Sequence, residues 1–485
     1  MRQLLVPAVL VIAVATAQPR LDAQAQPAQP QHAMEVTQSS VRGHMEFLAS
    51  DALQGRGSGT RDEWIAAEYI AAQLRRWGLE PLGDRIPGRF RSFVQTIEMR
   101  AIETTAPPTL SAGGLTLTHG QEMIVEALGT IARAAGPLHV FTGAPVPTGS
   151  IVLMSEAPVR PRGGMSDEER AAYTEQRAAL APASVIVYPE TPAIRERWET
   201  AGNALPSGPA RPIALPATAS PRATVIAADT ASFAALSKLA ADSQAIFNAE
   251  TKWGDTPTYT WNVIGRLPGA DAQRAREVLL LSAHLDHVGM RESAPGDDKI
   301  YNGADDDASG TVAVMELARV MAAGPAPART VVFAWFGSEE RGGTGSNFFA
   351  ETEGFLVSRI VANLQFEMIG RPDETVPANT LWLTGYERSN LGEALAAHGA
   401  RLVADPHPEQ SFFTRSDNIR FARKGIPAHT VSSFGLHADY HQPGDELGKI
   451  DFAHMTEAIR SLVAPIRWLA DDAFRPAWAP GGRPK

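Results

Sequence analysis

The second half of the chain repeats one pattern, and that pattern leaves few folds open to it. Largely apolar stretches at residues 277–283, 330–336 and 360–366, and a later one at 428–432, are short enough to be strands and read as buried on both faces. Helical stretches follow at 311–322, opened by Ser309-Gly310, and at 451–469, where Pro465 predicts a kink. Buried strands alternating with helices predict an α/β fold, a mostly parallel (mixed) central sheet flanked by helices on both faces. Ligands of such sheets bind beyond the carboxyl ends of the strands. Residues far apart in sequence, each just past a strand, therefore meet in one cleft.

At 485 residues the chain is too long for one ordinary core. Over 61–77, apolar positions at Trp64, Ile65, Tyr69, Ile70 and Leu74, with Gly78 as a stop, predict a helix in a first part of the main domain, 34–119. The preceding Gly55-Arg56-Gly57-Ser58-Gly59 lacks the strand before it and the lysine after it that a phosphate loop needs, so it reads as a tight structural loop. Between 120 and 252 strand candidates at 150–154 and 184–188 alternate with Pro-rich stretches and a polar helix at 166–179. No cluster of metal-ligand residues occurs there, and the segment is expected to be an inserted accessory domain. The main domain resumes over 253–472, and a Pro/Gly-rich tail, 473–485, is expected to fray.

The amino-terminal segment carries its own signal. Arg2 precedes an apolar run at 4–17 that ends in Ala15-Thr16-Ala17. This pattern predicts a signal peptide at 1–17, a disordered Gln/Pro/Ala-rich linker at 18–33, and export to the bacterial periplasm or the medium. No stable membrane association is expected once the signal is removed. A net charge of −10 and the lack of any basic run exclude nucleic acid as an expected partner. The chain has no cysteine, so disulfides and a lipid-bearing cysteine are excluded, and any metal must be held by His, Asp and Glu.

Those residue types gather just past the predicted strands. His284 and Asp286, two apart, share one side where a strand ends, and Asp286 is placed to hold the far nitrogen of the imidazole. Asp305-Asp306-Asp307 puts three repelling carboxylates side by side, which calls for a cation. The spacing of Asp305, Asp307, Ser309, Gly310 and Glu316 also matches a calcium loop, but the Pro/Gly-rich approach cannot form the helix such a loop requires. Glu339-Glu340 follows another strand, where one glutamate can bind metal while its neighbour accepts a proton. Glu367 ends an apolar run, where an unpaired carboxylate is costly. In the loop beyond the last strand, His437 or His441 can serve as a ligand.

Together these segments resemble the di-zinc exopeptidase family that includes bacterial secreted leucyl aminopeptidases and glutamate carboxypeptidase II. The resemblance covers residues 34–470, and Ser416-Asp417, Gly425-Ile426-Pro427 and Tyr440-His441-x-Pro443 fall in the family's order. More weakly, 120–252 resembles the protease-associated domain found in many members. The resemblance implies the phosphorylase/hydrolase-like zinc exopeptidase fold and two zinc ions per chain. Asp306 would bridge them, with His284 and Glu367 on one ion and Glu340 and His441 on the other. Glu339 would be the general base acting on a water held by the two zincs, and Asp286 the supporting carboxylate. A cis peptide at Asp306-Asp307 is also expected. Two departures stand out: Glu367 where many relatives have Asp, and Asn418 where many have His.

The activity implied is hydrolysis of N-terminal residues from peptides. A carboxypeptidase of the same fold stays open, with Arg371 or Arg415 as the group that would pair with a substrate carboxylate. So do a glutaminyl cyclase-like transferase, usually with one zinc, and a catalytically inactive binding protein. A further di-zinc family carries its lid domain after the paired glutamates. Here the insertion comes before His284.

Overall fold

The computed structural model describes residues 34–88, 91–159, 167–201, 204–216, 222–239, 243–294 and 296–484. The expected signal peptide and the linker behind it lie outside the described residues.

A ten-stranded sheet organises the main domain. Its strands are β1 (Glu80–Pro81), β2 (Val94–Arg100), β3 (Arg211–Pro212), β4 (Thr258–Leu267), β5 (Val278–His284), β6 (Thr330–Phe336), β7 (Ile360–Phe366), β8 (Leu381–Leu383), β9 (Leu402–Ala404) and β10 (Ala428–Ser432). In space they run β3-β2-β4-β6-β5-β7-β10-β8-β9, with β1 beside β4. The centre, β6-β5-β7-β10, is parallel, while β2-β4-β6 and β10-β8 pair antiparallel. The sheet is thus mixed, as its sequence pattern predicts.

Every residue of β5, β6, β7 and β10 is buried; β6 accordingly reads as a nearly unbroken apolar run, while polar residues within the others, such as Ser282 and His429, find hydrogen-bond partners inside. Helices α1 (Gln38–Leu48), α2 (Arg61–Arg76), α3 (Gly310–Ala323) and α4 (Phe452–Asp471) supply residues to one large core with the sheet, among them Met45, Ile70, Val314 and Ile459. A second core, holding Ile264, Leu280, Phe336, Phe349 and Phe421, covers the opposite face. Helix α2 opens on Thr60, whose hydroxyl accepts from the Glu63 N–H, and Gly78 follows in the left-handed region. Helix α4 is one element through Pro465.

The inserted segment forms its own eight-stranded sheet from residues 109–248, around a separate core that includes Leu110, Leu138, Val187, Ile226 and Phe247. It begins earlier than the expected residue 120. Strand Thr109–Ala112 pairs with Gln244–Asn248, and a ribbon of Ile102–Thr104 against Thr251–Trp253 ties the two crossings together. The carboxyl-terminal segment, expected to fray, is instead docked. Trp478 donates from its indole to the Gly425 carbonyl at 2.9 Å and packs on the second core, and Ala477 N–H reaches Asn390 Oδ1 at 2.8 Å. A half-buried indole outweighs the Pro/Gly composition around it.

Candidate metal centre

Strand order decides the site. His284 closes β5, the middle strand of the parallel group; its neighbour β6 leads into Gly337-Ser338-Glu339-Glu340, and its other neighbour β7 into Glu367. The register is flush, with His284 opposite Phe336. Asp306 comes from the turn ahead of α3, and His441 from the loop beyond β10.

Two groups of donor atoms result, one of His284, Asp306 and Glu367, the other of His287, Asp306, Glu340 and His441. Asp306 belongs to both. Its Oδ1 lies 3.2 Å from His284 Nε2, and its Oδ2 lies 3.1 Å from His441 Nε2. Glu340 Oε1 is 3.0 Å from both His441 Nε2 and His287 Nδ1. One carboxylate with an oxygen turned to each group is the geometry of a bridging ligand.

His284 Nε2, His287 Nδ1, Glu340 Oε1 and Glu367 Oε2 are buried without a hydrogen-bond partner. A buried polar atom left unpartnered costs about 1–3 kcal/mol. Four of them belonging to the same two groups are accounted for if each group encloses a cation. Imidazole nitrogens and carboxylate oxygens are the donors zinc takes in a cysteine-free site, so the residues present fit that metal.

The acidic triplet divides its labour. Asp307 spends both oxygens on main-chain N–H groups, Gly310 and Met368 at 3.1 Å and His284 at 3.2 Å. Asp305 accepts from Gly370 N–H at 2.8 Å and faces His437 Nε2 at 3.0 Å. Only the middle carboxylate is left for the donor groups, and His437 is drawn away from them. The peptide bond between Asp306 and Asp307 is cis. The calcium-loop reading fails, because Glu316 is taken up by Arg319 at 2.6 Å and by the Ser40 hydroxyl at 2.6 Å.

Asp286 supports the site differently from the expectation. His284 Nδ1 faces the main-chain carbonyl of Asp286 at 3.2 Å, while the nearer carboxylate oxygen is 3.8 Å away. The carboxylate instead accepts from the Ser58 hydroxyl and, at 2.9 Å, from Glu339 N–H. It therefore fixes the turn that carries the paired glutamates. Glu339 lies outside both donor groups. Burial pushes its carboxyl well above the usual range; His284 opposes this, and Asp417, Glu367 and Glu340 add to it. That is the direction a proton acceptor working near neutrality needs.

A family model described as Peptidase family M28 matches residues 262–464. The matched residues are similar to that family. Leucine aminopeptidase 1 of Grosmannia clavigera is 28% identical over 235 residues, 45% of this chain and 54% of that protein. Leucine aminopeptidase 2 of Trichophyton rubrum is 28% identical over 220 residues, 40% and 41%. The chain thus spans about half the length of the curated relatives it matches. Among solved structures, the aminopeptidase from Aneurinibacillus sp. strain AM-1 is 19% identical, covers 91% of this chain and 96% of its own, and superposes with a TM-score of 0.49.

The site leans on residues that sequence reasoning did not single out. Arg56, from the loop mistakable for a phosphate cradle, is buried and donates to the carbonyls of Leu48, Leu285, Asn302 and Gly303. It ties the loop after His284 to the loop before Asp306. Glu63 of α2 accepts from Thr260 Oγ1 at 2.7 Å and Ser338 N–H at 2.9 Å, bracing the turn before Glu339. Asp445 accepts from the N–H groups of Asp305 and Asp306 at 2.9 and 3.0 Å; burial and the nearby Asp305 push its carboxyl up to about 6. His287 is the fourth omission, and its signal was its place directly after His284-Leu285-Asp286. Asn418 proves to be a framing residue: its amide donates to Phe413 O and Ala428 O, and its carbonyl accepts from Thr430 Oγ1. Among the described residues, no helix is long and apolar enough to cross a membrane.

Proposed function

We propose that the protein is a zinc-dependent aminopeptidase with two metal ions per chain, removing N-terminal residues from peptides. The observation that carries this reading is the set of unpartnered buried donor atoms grouped about a shared Asp306. His284 and Glu367 would hold one ion, Glu340 and His441 the other, with Asp306 between them. Bound zinc supplies Lewis acidity, polarising a scissile carbonyl and making water acidic enough to lose a proton near neutrality. Glu339 takes that proton on its carboxylate and passes it to the departing amine nitrogen. Asp286 holds Glu339 in place through its main-chain N–H.

A pocket beside Glu367 is walled by Met368, Trp382, Phe412, Phe434 and Tyr440. Its stacked and edge-on rings, Trp382 on Phe412 at 5.5 Å and Phe412 against Phe434 at 5.8 Å, suit an apolar substrate side chain. The carboxylate-rich surroundings favour a protonated α-amine.

One observation keeps the carboxypeptidase reading as the second. Arg371 is already paired with Asp439 at 2.7 Å, but Arg415 lines the pocket and has no carboxylate partner among the described residues. Cleavage of free aminoacyl substrates, with loss of turnover on N-acetylation and on chelation, is the expected result. Release of C-terminal residues from N-blocked peptides, abolished in Arg415→Ala, would replace the first reading with the second. Full activity in metal-free protein would end both.

A further inference from the structure

We infer that His287 is a fourth protein ligand on the Glu340–His441 side, so that one metal position is closed by protein and the other is left open. The inference rests on the two-metal reading above and assigns unequal roles to its two halves.

His287 is fully buried, and neither of its ring nitrogens has a hydrogen-bond partner. Its Nδ1 sits 3.0 Å from Glu340 Oε1 and 3.8 Å from Asp306 Oδ2. A nitrogen and a carboxylate oxygen at 3.0 Å that do not form a hydrogen bond are aimed past each other, as two ligands of a third body are. The ring stands nearly perpendicular to that of His441, at 74° with centroids 5.5 Å apart, so the two imidazoles approach from different directions.

The placement is built by the chain around it. His287 N–H donates to the Arg56 carbonyl at 3.0 Å, and the His287 carbonyl accepts from Ser58 N–H at 3.2 Å. Gly303 leaves room for the ring, since a Cβ there would come within 2.5 Å of His287 Cγ. An imidazole with two bare nitrogens in a sealed space is costly unless something binds one of them.

His287, His441, Glu340 and Asp306 make four donors, a complete tetrahedral set for zinc. His284, Asp306 and Glu367 make three, the number that leaves a position free. The free position therefore lies on the Glu367 side, next to the aromatic pocket.

Titration of the chelator-stripped full chain with zinc, followed by calorimetry, tests this. Wild type should bind two ions in two affinity classes, the tighter one at the four-donor side. His287→Gln, which keeps bulk without the imidazole, should still bind two ions but weaken the tighter class by at least about tenfold, since loss of even an outer partner of a ligand costs that much. His284→Gln should weaken the other class. With one equivalent of cobalt(II), the visible spectrum should change in His287→Gln and not in His284→Gln. A His287→Gln protein with the wild-type titration and cobalt spectrum would overturn the inference, leaving His287 a packing residue. Wild type binding fewer than two ions would instead overturn the two-metal reading beneath it. Far-UV circular dichroism of each metal-free variant guards against misfolding, with His287→Asn as the replacement if the Gln variant does not fold.

Discussion

Arg56 offers the sharpest test of how the site is held. Its guanidinium serves four main-chain carbonyls, Leu48, Leu285, Asn302 and Gly303, in a region sealed from solvent. Replacing it with methionine keeps the apolar stem and removes every donor. Gly303 O keeps the Ala308 N–H at 3.2 Å, while the other three carbonyls each lose their partner at about 1–3 kcal/mol. Three such losses put the cost at about 3 kcal/mol or more, a large share of the roughly 5–15 kcal/mol that holds a folded domain. Burial disfavours the charge on Arg56, and Asp445, Asp307, Asp286 and Asp306 favour it; the variant also strips that cation from the acids. Arg56→Lys keeps a charge but concentrates its donors on one atom, which cannot span four carbonyls, so an intermediate loss is expected. The loops after His284 and before Asp306 are joined through this side chain. Zinc affinity should therefore fall by at least about tenfold alongside stability. Urea unfolding and competition with a chromogenic chelator measure the two effects. An Arg56→Met protein with the wild-type unfolding midpoint and zinc affinity would refute the reasoning, because three unpartnered carbonyls would then carry no cost.

Further outcomes follow from the same geometry. Glu339→Gln should keep its metal yet lose about two to four orders of magnitude in turnover, whereas Glu340→Gln should lose metal; metal analysis alongside steady-state rates separates them, and swapped phenotypes would reverse the two roles. Gly303→Ala forces a side chain onto a φ of +59° and into the Asp306 carbonyl and the His287 ring, so both thermal stability and zinc content should drop; a normal melt with full zinc would show that the turn can relax. His429 is held neutral by burial, down to about 4, with Thr384 O and Ser389 Oγ at 2.7 Å on its two nitrogens. Its folded pKa lies below the unfolded 6.5, so its contribution is intact above pH 6.5 and is lost as pH falls toward 4. That amounts to about 2 kcal/mol between pH 7 and 5, and the stability difference between wild type and His429→Gln, measured in urea at both pH values, should narrow by that much.

Local pattern alone was enough for the central strands and for most of the candidate donor residues. The bounds of β6, β7 and β10 were legible to the residue, β6 most clearly, because a strand covered on both faces carries few polar positions to blur the run. Most of the ligand-type residues were legible for a related reason: His284, Glu339, Glu340 and Glu367 stand at or just past the end of a strand, whereas Asp306 and His441 come from loops. The resemblance, not the spacing, preferred His441 over His437, and the structure places His441 beside Glu340 while His437 faces Asp305. The short strands β1, β3, β8 and β9, two or three residues each, were not legible, since pairing partners far away in sequence define them. Which carboxylate of the acidic triplet is left free emerged only on folding, because main-chain N–H groups from three separate elements claim the other two. Folding also made Asp286 steady Glu339 more closely than His284, docked the tail through Trp478, and brought His287 and Arg56 into the site. A side chain's chemistry is written in sequence. Whether a buried nitrogen or carbonyl finds a partner depends on what distant segments bring to within 3 Å of it, and that is settled only when the sheet order brings those segments together.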